Sequence, residues 1–585
     1  MNHAKPLRLV VISILLAAVA ASCPWLVAEE PAAVEKQLAD AARFLSSDAL
    51  EGRGAGTKGL EAAADFIAAQ FAQSGLKTTA LAGTPFQKFS VTTAVSRGAN
   101  NKLTFTGPSA DPHRPERIEL KLDADFTPLA VGGSGKFDLP LVFAGYGITS
   151  PKDRYDDYAG IDASGKAVVI LRRQPQQGNP KSPFAGTNPS HHAPFPRKLS
   201  NARDHKAAAV IFCSDAPGVH KGVTEAHKKW QEALDRLAQQ HAEFKRTARP
   251  ALDQIEAQQK RIDELTRQVT AASDRIRAEL DPVLPFEGAG RDLSGKAIPV
   301  VYCRRSLVDR IVRAATKTDL AAIERQIDEG PKPHSAVLAG WRAAGEIEVQ
   351  RTQTDLRNVI AVLEGEGPAA DETIVVGAHY DHVGWGRPNV AAGEPKAVRN
   401  GADDNASGVA VMLEVARELA RRKPAPRRRL VFVAFAAEEL GLRGSNHYLG
   451  SPPFPVEKTA AMVNLDMVGR LRQNKLSVFG SGTSPCFESL IDAVAARYGF
   501  TVTKRPAGTG PSDHAPFNAR QIPVLHFFTG VHEDLHKPGD DFEKLNLEGM
   551  RRIAGAVTEV VTTLATGAKR PEHVAPAKSP APKKP

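Results

Sequence analysis

Six side chains that can bind a metal ion or move a proton occur between residues 379 and 536, and nearly all of them follow a short hydrophobic run. They are two histidines and four carboxylates: His379, Asp404, Glu438, Glu439, Asp466 and His536. Imidazole and carboxylate groups suit Zn²⁺, and two ions about 3.5–4 Å apart can hold both a water nucleophile and a developing oxyanion. Two histidines, three carboxylates and one spare carboxylate therefore predict a two-zinc hydrolytic site.

The hydrophobic runs before these residues predict the sheet that positions them. Between residues 355 and 566 short apolar segments alternate with helical patterns, which indicates a mostly parallel sheet with helices on both faces. The segments TIVVGAH, LVFVAFA and AAMVNLD end at or just before three of the candidate groups, namely His379, the Glu438–Glu439 pair and Asp466. Because open α/β sheets bind ligands at the carboxyl ends of their strands, we expect these groups to converge there.

The segments that contain these residues resemble the co-catalytic di-zinc aminopeptidases of the leucyl aminopeptidase and aminopeptidase Y type. The matching motifs occur in the family's order and are GAHYDHVG, NGADDNASGVAVMLEVA, FVAFAAEELGLRGS, LDMVG, SDHAPF and LHKPGD. The resemblance implies an α/β catalytic domain, two Zn²⁺ per chain and hydrolysis of N-terminal residues from peptides. It therefore implies a metallo-exopeptidase.

The resemblance also implies how the ligands are divided between the two ions. Asp404 would bridge them, because the family's bridging aspartate occupies this position before an asparagine. His379 and Asp466 would complete the site of one ion. Glu439 and His536 would complete the site of the other.

Two catalytic roles outside the ligand set follow from the same resemblance. Glu438 would be the general base, which takes a proton from the attacking water and passes it to the leaving amine. Asp381 lies two residues after His379. Its carboxylate would accept a hydrogen bond from that imidazole and fix the tautomer of the ring.

Other polar residues near the motifs are expected to have no metal role. Asp403, beside Asp404, would be solvated or would cap its loop. Asp513 and His514, in SDHAPF, would line the site or orient other groups. Four further histidines have no matching ligand position: His382, His447, His526 and His532.

The preceding part of the chain resembles a protease-associated domain inserted before the catalytic one. The resemblance rests on LVFAGYGITSPKDRYDDYAGIDASGKAVVILRR, NARDHKAAAVIFCSDAP and IPVVYCRR. We expect an α/β fold with a mixed, mostly parallel central sheet and helices on both faces, plus this smaller α+β domain. The predicted divisions are a signal peptide at 1–28, the N-terminal part of the peptidase region at 30–130, the protease-associated domain at 131–335, the catalytic domain at 350–566 and a disordered Pro/Ala/Lys-rich tail at 567–585.

An insertion at 225–281 departs from the protease-associated pattern. Apolar residues recur there at a strict interval of seven, at Ile255, Ile262, Val269 and Ile276. An earlier helical pattern ends before Pro250, which separates the two segments. The sequence predicts a helical hairpin that packs on itself, and a role as a dimer contact or partner arm stays open.

The N-terminus predicts an exported protein, periplasmic or extracellular. Lys5 and Arg8 precede an apolar run, Leu9–Ala21, that is short for a membrane span. An A-x-A cleavage site and a lipoprotein box ending at Cys23 are both present, so lipid attachment through Cys23 stays open, as does an uncleaved anchor. Three cysteines remain after this segment, so they cannot all pair within one chain; a Cys213–Cys303 disulfide and small buried hydrophobes are the alternatives.

The net charge of +10 does not predict a nucleic-acid partner. RRKPAPRRR at 421–429 carries +6 and the tail from Lys569 to Lys584 carries +4, so the remainder is near neutral. The expected partners are peptide substrates, and the oligomeric state is open.

Several alternatives share the fold. A glutaminyl cyclase would use one zinc, and the full ligand set argues against it. A dipeptidase stays open, and a carboxypeptidase acting on acidic termini would need arginines near the site, for which the candidates are Arg387, Arg399, Arg443 and Arg470. A catalytically dead binding scaffold, as in the transferrin receptor, would lack ligands or base, and none is lost here.

Overall fold

The structure of the chain, a computed structural model, describes residues 30–109, 111, 113–184, 190–246, 251–290, 297–330, 332–385 and 397–575. The predicted signal peptide with Cys23, the candidate Arg387 and the end of the predicted tail lie outside the described residues. Within them, none of the helices is both long and apolar enough to cross a membrane.

Eighteen strands form in the described part of the chain, and sixteen of them belong to two eight-stranded sheets. In chain order they are β1 (Phe86–Arg97), β2 (Lys102–Gly107), β3 (Glu116–Leu120), β4 (Phe126–Pro128), β5 (Gly135–Ala144), β6 (Thr149–Ser150), β7 (Tyr155–Asp156), β8 (Ala167–Leu171), β9 (Ala209–Cys213), β10 (Val300–Cys303), β11 (Ser335–Ile347), β12 (Val349–Leu363), β13 (Thr373–His379), β14 (Arg429–Phe435), β15 (Thr459–Leu465), β16 (Lys475–Phe479), β17 (Thr501–Arg505) and β18 (Val524–Phe528).

Twelve α-helices accompany these strands over the same described ranges. They are α1 (Pro31–Leu45), α2 (Lys58–Gln73), α3 (Phe195–Asp204), α4 (Ala216–Arg246), α5 (Leu252–Glu279), α6 (Arg305–Thr316), α7 (Leu320–Glu329), α8 (Gly408–Arg421), α9 (Arg443–Gly450), α10 (Phe487–Tyr498), α11 (His514–Ala519) and α12 (Leu547–Thr566).

The chain divides into two compact units. Unit 1 comprises residues 1–93 and 353–585, and unit 2 comprises residues 94–352. The predicted boundaries, 130/131 and 335/350, differ from these. The reason is strand pairing: β2 pairs antiparallel with β11, and β4 pairs antiparallel with β10, so both belong to the sheet of unit 2. Residues 94–130 are therefore part of the smaller unit and not of the peptidase region.

The sheet of unit 1 has the strand order β1-β12-β14-β13-β15-β18-β16-β17. At its centre β13 is parallel to both β14 and β15, and β15 is parallel to β18. Strands β12 and β16 run antiparallel to their neighbours β14 and β18. The predicted mixed, mostly parallel sheet is confirmed.

Both faces of this sheet are buried, which explains the continuous hydrophobic runs in its strands. Along β13, Ile374 and Val376 join a core that includes α1, α2, α8 and α12. Val375, which points to the opposite face, joins a second core with residues of α9 and α11. The predicted helices on both faces are therefore present.

Unit 2 is built on the second sheet, with the order β3-β2-β11-β5-β8-β9-β10-β4. Residues alternate between two cores: Val169 of β8 packs with α6 and α7, and Val168 packs with α3. The unit therefore combines a sheet of parallel and antiparallel strands with the helices α3 to α7, as an α+β domain does. Its assignment as a protease-associated domain stays a prediction.

The insertion in unit 2 forms the predicted hairpin, from helices α4 and α5. The helix α4 buries residues at an interval of seven: Ala226, Ala233 and Gln240. The predicted positions on α5 that are partly buried are Ile262, Val269 and Ile276. The Gln258 amide donates to the carbonyl of Gln240 at 3.2 Å and so joins the two helices. Ile255 is 40% exposed.

The cysteines in the described residues are free thiols. Cys213 and Cys303 end the neighbouring parallel strands β9 and β10 and are fully buried, and burial raises the pKa of both thiols. Of the two alternatives, the structure therefore has them as buried hydrophobes and not as a disulfide. Cys486 is exposed.

We predict that a protein beginning at residue 30 reacts rapidly with one equivalent of a thiol reagent when folded, and with three when denatured. The reactive thiol is Cys486, because the thiolate is the nucleophile and burial suppresses it at the other two positions. A Cys486→Ser variant should react with none when folded. Fewer than three thiols in the denatured, unreduced protein would mean that Cys213 and Cys303 are bonded.

Candidate metal centre

Three neighbouring strands of unit 1 end at the predicted ligands. His379 is the last residue of β13, and Asp466 directly follows β15. Glu438 and Glu439 follow the end of β14. Because β14, β13 and β15 are adjacent and parallel, their carboxyl ends lie at the same edge of the sheet. The predicted convergence is confirmed.

Loops that follow the sheet edge provide the remaining ligands. Asp404 lies in a buried, irregular segment before α8, and its peptide bond to Asn405 is cis. His536 lies in the loop after β18, with its side chain 40% exposed. All five predicted ligands therefore come together, although the first and the last are more than 150 residues apart along the chain.

The ligand atoms form two clusters that share Asp404. In the first cluster, Nε2 of His379 lies 3.3 Å from Oδ1 of Asp404 and 3.3 Å from Oδ1 of Asp466. In the second, Nε2 of His536 lies 3.1 Å from Oδ2 of Asp404 and 3.0 Å from Oε1 of Glu439. Asp404 thus presents one oxygen to each cluster, as a bridging ligand does.

The donor set and its spacing fit zinc. Ligand atoms bound at about 2.0–2.1 Å to one tetrahedral Zn²⁺ lie about 3.3 Å from one another. The distances of 3.0–3.3 Å between donor atoms in the two clusters match that value. The carboxylates are also largely buried, and buried acidic groups require a compensating cation. The residues present are therefore suited to hold two metal ions.

The second cluster contains a residue that the sequence motifs did not indicate. Nδ1 of His382 lies 3.1 Å from Oε1 of Glu439 and 3.6 Å from Oδ2 of Asp404. His382, which matches no ligand position in the motifs, therefore lies among the candidate ligands of the second cluster. A signal was available, since His382 directly follows Asp381 at the end of a buried strand.

The other three histidines lie outside both clusters. His532 is paired with Asp403, its Nε2 3.3 Å from Oδ2 of the carboxylate. His447 stacks on Phe89. His526 stacks on His514 with ring centroids 4.3 Å apart.

Asp403 is a buried anchor of the loop that carries Asp404. Its Oδ1 accepts hydrogen bonds from Gly469 N at 2.6 Å and from the Ser407 hydroxyl at 3.1 Å. Of the two predicted roles, capping the loop is correct and solvation is not, because the side chain is fully buried. Burial raises the pKa of this carboxyl.

The backbone of Asp404 is held by a second carboxylate, Asp540. One oxygen of Asp540 accepts from the backbone N–H groups of both Asp403 and Asp404, at 3.1 Å each. Arg470 forms an ion pair with Asp540 at 2.5 Å and with Asp534 at 2.7 Å. Asp404 is therefore fixed by a network of hydrogen bonds and ion pairs through Asp540 and Arg470.

Asp381 has a different partner from the one predicted. Its carboxylate accepts the backbone N–H groups of Glu438, at 3.0 Å, and of Glu439, at 3.3 Å. Nδ1 of His379 is 3.8 Å from that carboxylate and 3.2 Å from the backbone carbonyl of Asp381. The carboxylate therefore orients the two glutamates, and the carbonyl is the acceptor beside the imidazole.

The two adjacent glutamates have opposite proton affinities. Burial, with the carboxylates of Asp466 and Asp513, raises the pKa of Glu438 to about 10 against the opposing effect of His379. Against the effect of burial, hydrogen bonds from His382 and His536 lower the pKa of Glu439 to about 2. A bound dication lowers the pKa of nearby carboxyls further. Glu439 is thus the ionised member of the pair, and Glu438 is the group with the higher proton affinity.

Arg53 is a buried residue of the site that the sequence motifs did not indicate. Its guanidinium donates to the carbonyls of Tyr380 at 2.8 Å, Asn400 at 2.7 Å and Gly401 at 2.8 Å. It also donates to Leu45 O. The segments before Asp381 and Asp404 are thereby held together, since these carbonyls belong to both. Burial lowers the pKa of Arg53 to about 10, and the nearby carboxylates oppose this.

We predict that Arg53→Met lowers the free energy of unfolding by about 3 kcal/mol or more, because it leaves buried carbonyls without donors and removes a buried positive charge. Arg53→Lys should lower it less, since a lysine keeps the charge but not the planar fork. Both variants should bind zinc more weakly in equilibrium dialysis. Arg43→Lys, an exposed substitution in α1, is the control. Unchanged zinc affinity in both Arg53 variants would contradict the positioning role.

Comparison with protein families and known proteins places the site in context. Residues 358–561 match the family model of Peptidase family M28. The chain is 30% identical over 234 residues to aminopeptidase YwaD of Bacillus subtilis (strain 168), covering 38% of this chain and 48% of that protein. It is 32% identical over 175 residues to leupeptin-inactivating enzyme 1 of Streptomyces exfoliatus, covering 30% and 36%. The chain thus spans about half or less of these relatives.

Among solved structures, the aminopeptidase from Aneurinibacillus sp. strain AM-1 aligns with a TM-score of 0.47 and 20% identity, over 92% of this chain and 95% of that one. The family match contains the strand ends of His379, Glu438 and Asp466. The resemblance found in the motifs is therefore confirmed: residues 358–561 of this chain match peptidase family M28.

Proposed function

We propose that this protein is a zinc-dependent aminopeptidase that removes N-terminal residues from peptides. The observation that carries the proposal is the pair of buried clusters that share Asp404, with Glu438 beside them as a carboxylate of high proton affinity. The match to peptidase family M28 and the 30% identity to a protein named aminopeptidase YwaD support it.

The chain's own residues divide the chemistry between them. Bound zinc supplies Lewis acidity to a water molecule and to the scissile carbonyl. Glu438 takes the proton of that water and returns it to the leaving amine as general acid. Asp381 keeps Glu438 in place through its hydrogen bond to the backbone N–H. Asp404, His379 and Asp466 would hold one ion, and Asp404, Glu439 and His536 the other.

Aminopeptidase action is favoured over carboxypeptidase action by the partners of the candidate arginines. Arg470 forms ion pairs with Asp534 and Asp540. Arg399 donates to the carbonyls of His536 and Trp385. Arg443 donates to the carbonyl of Leu440 at 3.2 Å. These three guanidinium groups thus have structural partners. Carboxylates, by contrast, surround Glu438, and an anionic surrounding suits the ammonium group of a peptide N-terminus.

The proposal is tested by metal analysis of the purified protein together with hydrolysis of aminoacyl-anilides and their N-acetylated forms. The expected result is two zinc equivalents and cleavage of the free-amine substrates alone. Two zinc equivalents with cleavage of peptides from the C-terminus would indicate a carboxypeptidase instead. Two zinc equivalents with cleavage of dipeptides alone would indicate a dipeptidase. A protein that binds no metal would be a binding scaffold.

We predict that Glu438→Gln lowers kcat by about 10²–10⁴-fold while two zinc ions stay bound, because general acid–base catalysis is worth that much. The amide keeps the shape of the side chain and cannot accept the proton. Glu418→Gln, a half-exposed position in α8, is the matched control and should retain full activity. Near-normal kcat in Glu438→Gln would refute the general-base role.

A further inference from the structure

We propose that His382 is a ligand of the metal ion in the second cluster. That ion would then have four protein ligands, whereas the ion in the first cluster would have three and keep an open position. The inference rests on the proposed function for the presence of two zinc ions. It adds a ligand that the motif resemblance did not include, and a difference in affinity between the two sites.

The position of Nδ1 in His382 is that of a ligand atom. It lies 3.1 Å from Oε1 of Glu439 and 3.6 Å from Oδ2 of Asp404. These are the same two oxygens that Nε2 of His536 approaches, at 3.0 and 3.1 Å. All four atoms lie within 4.8 Å of one another. Each distance is close to the edge of a zinc tetrahedron, which is about 3.3 Å.

The two imidazole rings are arranged as they would be on one ion. Their centroids are 5.4 Å apart and the ring planes are inclined by 75°. Two imidazoles bound to one tetrahedral zinc have centroids about 5.2 Å apart, from a metal–nitrogen distance of about 2.0–2.1 Å. The rings of His382 and His536 therefore need little movement to share an ion.

The ring of His382 is confined to this position. The side chain is fully buried, and a Cβ at Gly401 would lie 2.5 Å from its Cδ2 atom. Gly401 also has φ of +57°, which few residues other than glycine adopt. The backbone N–H of His382 donates to the carbonyl of Arg53 at 3.1 Å. The chain therefore places this imidazole in the cluster from two sides.

The alternative is that His382 only donates a hydrogen bond to Glu439. That role would account for the 3.1 Å distance and not for the approach to Asp404. Coordination through Nδ1 uses the strongest interaction that the ring can make in this buried site and offsets the cost of burying it.

Unequal ligand numbers give the two ions different tasks. Four protein ligands form a closed site, which is typical of firmly held zinc. Three protein ligands with an open position are typical of zinc that carries a water molecule. The firmly held ion would therefore be the one in the second cluster, and the open position would belong to the first cluster.

X-ray absorption of the zinc-loaded full chain tests the ligand count directly. Three imidazoles on two ions give an average of 1.5 imidazoles per zinc, whereas two would give 1.0. We expect about 1.5 for the unmodified protein. A value of about 1.0 would overturn the proposal.

Variants test the affinity. His382→Ala removes the ring, and His382→Asn keeps an amide N–H near the position of Nδ1 that can still donate to Glu439. If His382 is a ligand, both variants should bind one of the two ions more than 100-fold more weakly in chelator competition, beyond the 10–100-fold cost of losing an outer partner. His447→Asn, at a histidine outside both clusters, is the control. If His382→Asn bound both zinc ions with the affinity of the unmodified protein, His382 would act only as a hydrogen-bond donor to Glu439.

The result is separable from that of the proposed function. An average of 1.5 imidazoles per zinc in a protein that does not hydrolyse peptides would support His382 as a ligand and refute the proposed aminopeptidase activity. Hydrolysis of peptides by a protein with an average of 1.0 imidazole per zinc would support the aminopeptidase activity and refute His382 as a ligand. The spectrum of the unmodified protein needs no variant, so a variant that fails to fold does not affect that outcome.

Discussion

The main constraint on the candidate site of unit 1 is the negative charge that accumulates at the end of a buried sheet. Asp381, Asp404, Glu438, Glu439 and Asp466 meet where β13, β14 and β15 end, and all are largely shielded from water. Burying charge without partners costs several kcal/mol per ion, so this arrangement requires cations and donors in fixed places. Histidines, the guanidinium of Arg53 and the proposed metal ions meet that requirement.

Buried polar side chains hold the backbone of the loops that carry the candidate ligands. The site is therefore arranged before any ligand binds. Asp540 holds the N–H groups of residues 403 and 404, and Asp381 holds those of residues 438 and 439. Asn358, fully buried on β12, accepts from Ala436 N and donates to Gly444 O, on either side of the two glutamates. Each such contact fixes the backbone of a loop and thereby the orientation of the side chains on it. Preorganisation of this kind is what electrostatic catalysis needs.

Adjacent residues acquire opposite roles because the loops after the strands direct neighbouring side chains to different partners. Glu439 faces two imidazoles and is ionised, whereas Glu438 faces other carboxylates and has the higher proton affinity. Asp403 and Asp404 differ in the same way: the first accepts hydrogen bonds from Gly469 N and the Ser407 hydroxyl, and the second faces both clusters. Residue type alone does not distinguish the members of either pair.

The sequence by itself determined the six chemical groups, the strands that end at them and the family resemblance, because these depend on local hydrophobic pattern and on motifs. Tertiary structure decided the rest. The role of Arg53 depends on carbonyls more than 300 residues away, and the boundary of unit 2 depends on the pairing of β2 with β11. The place of His382 beside Glu439 depends on how two loops fold back over the same strand ends. Contacts between distant segments are set by packing and by hydrogen-bond satisfaction in the folded core, which no local pattern records.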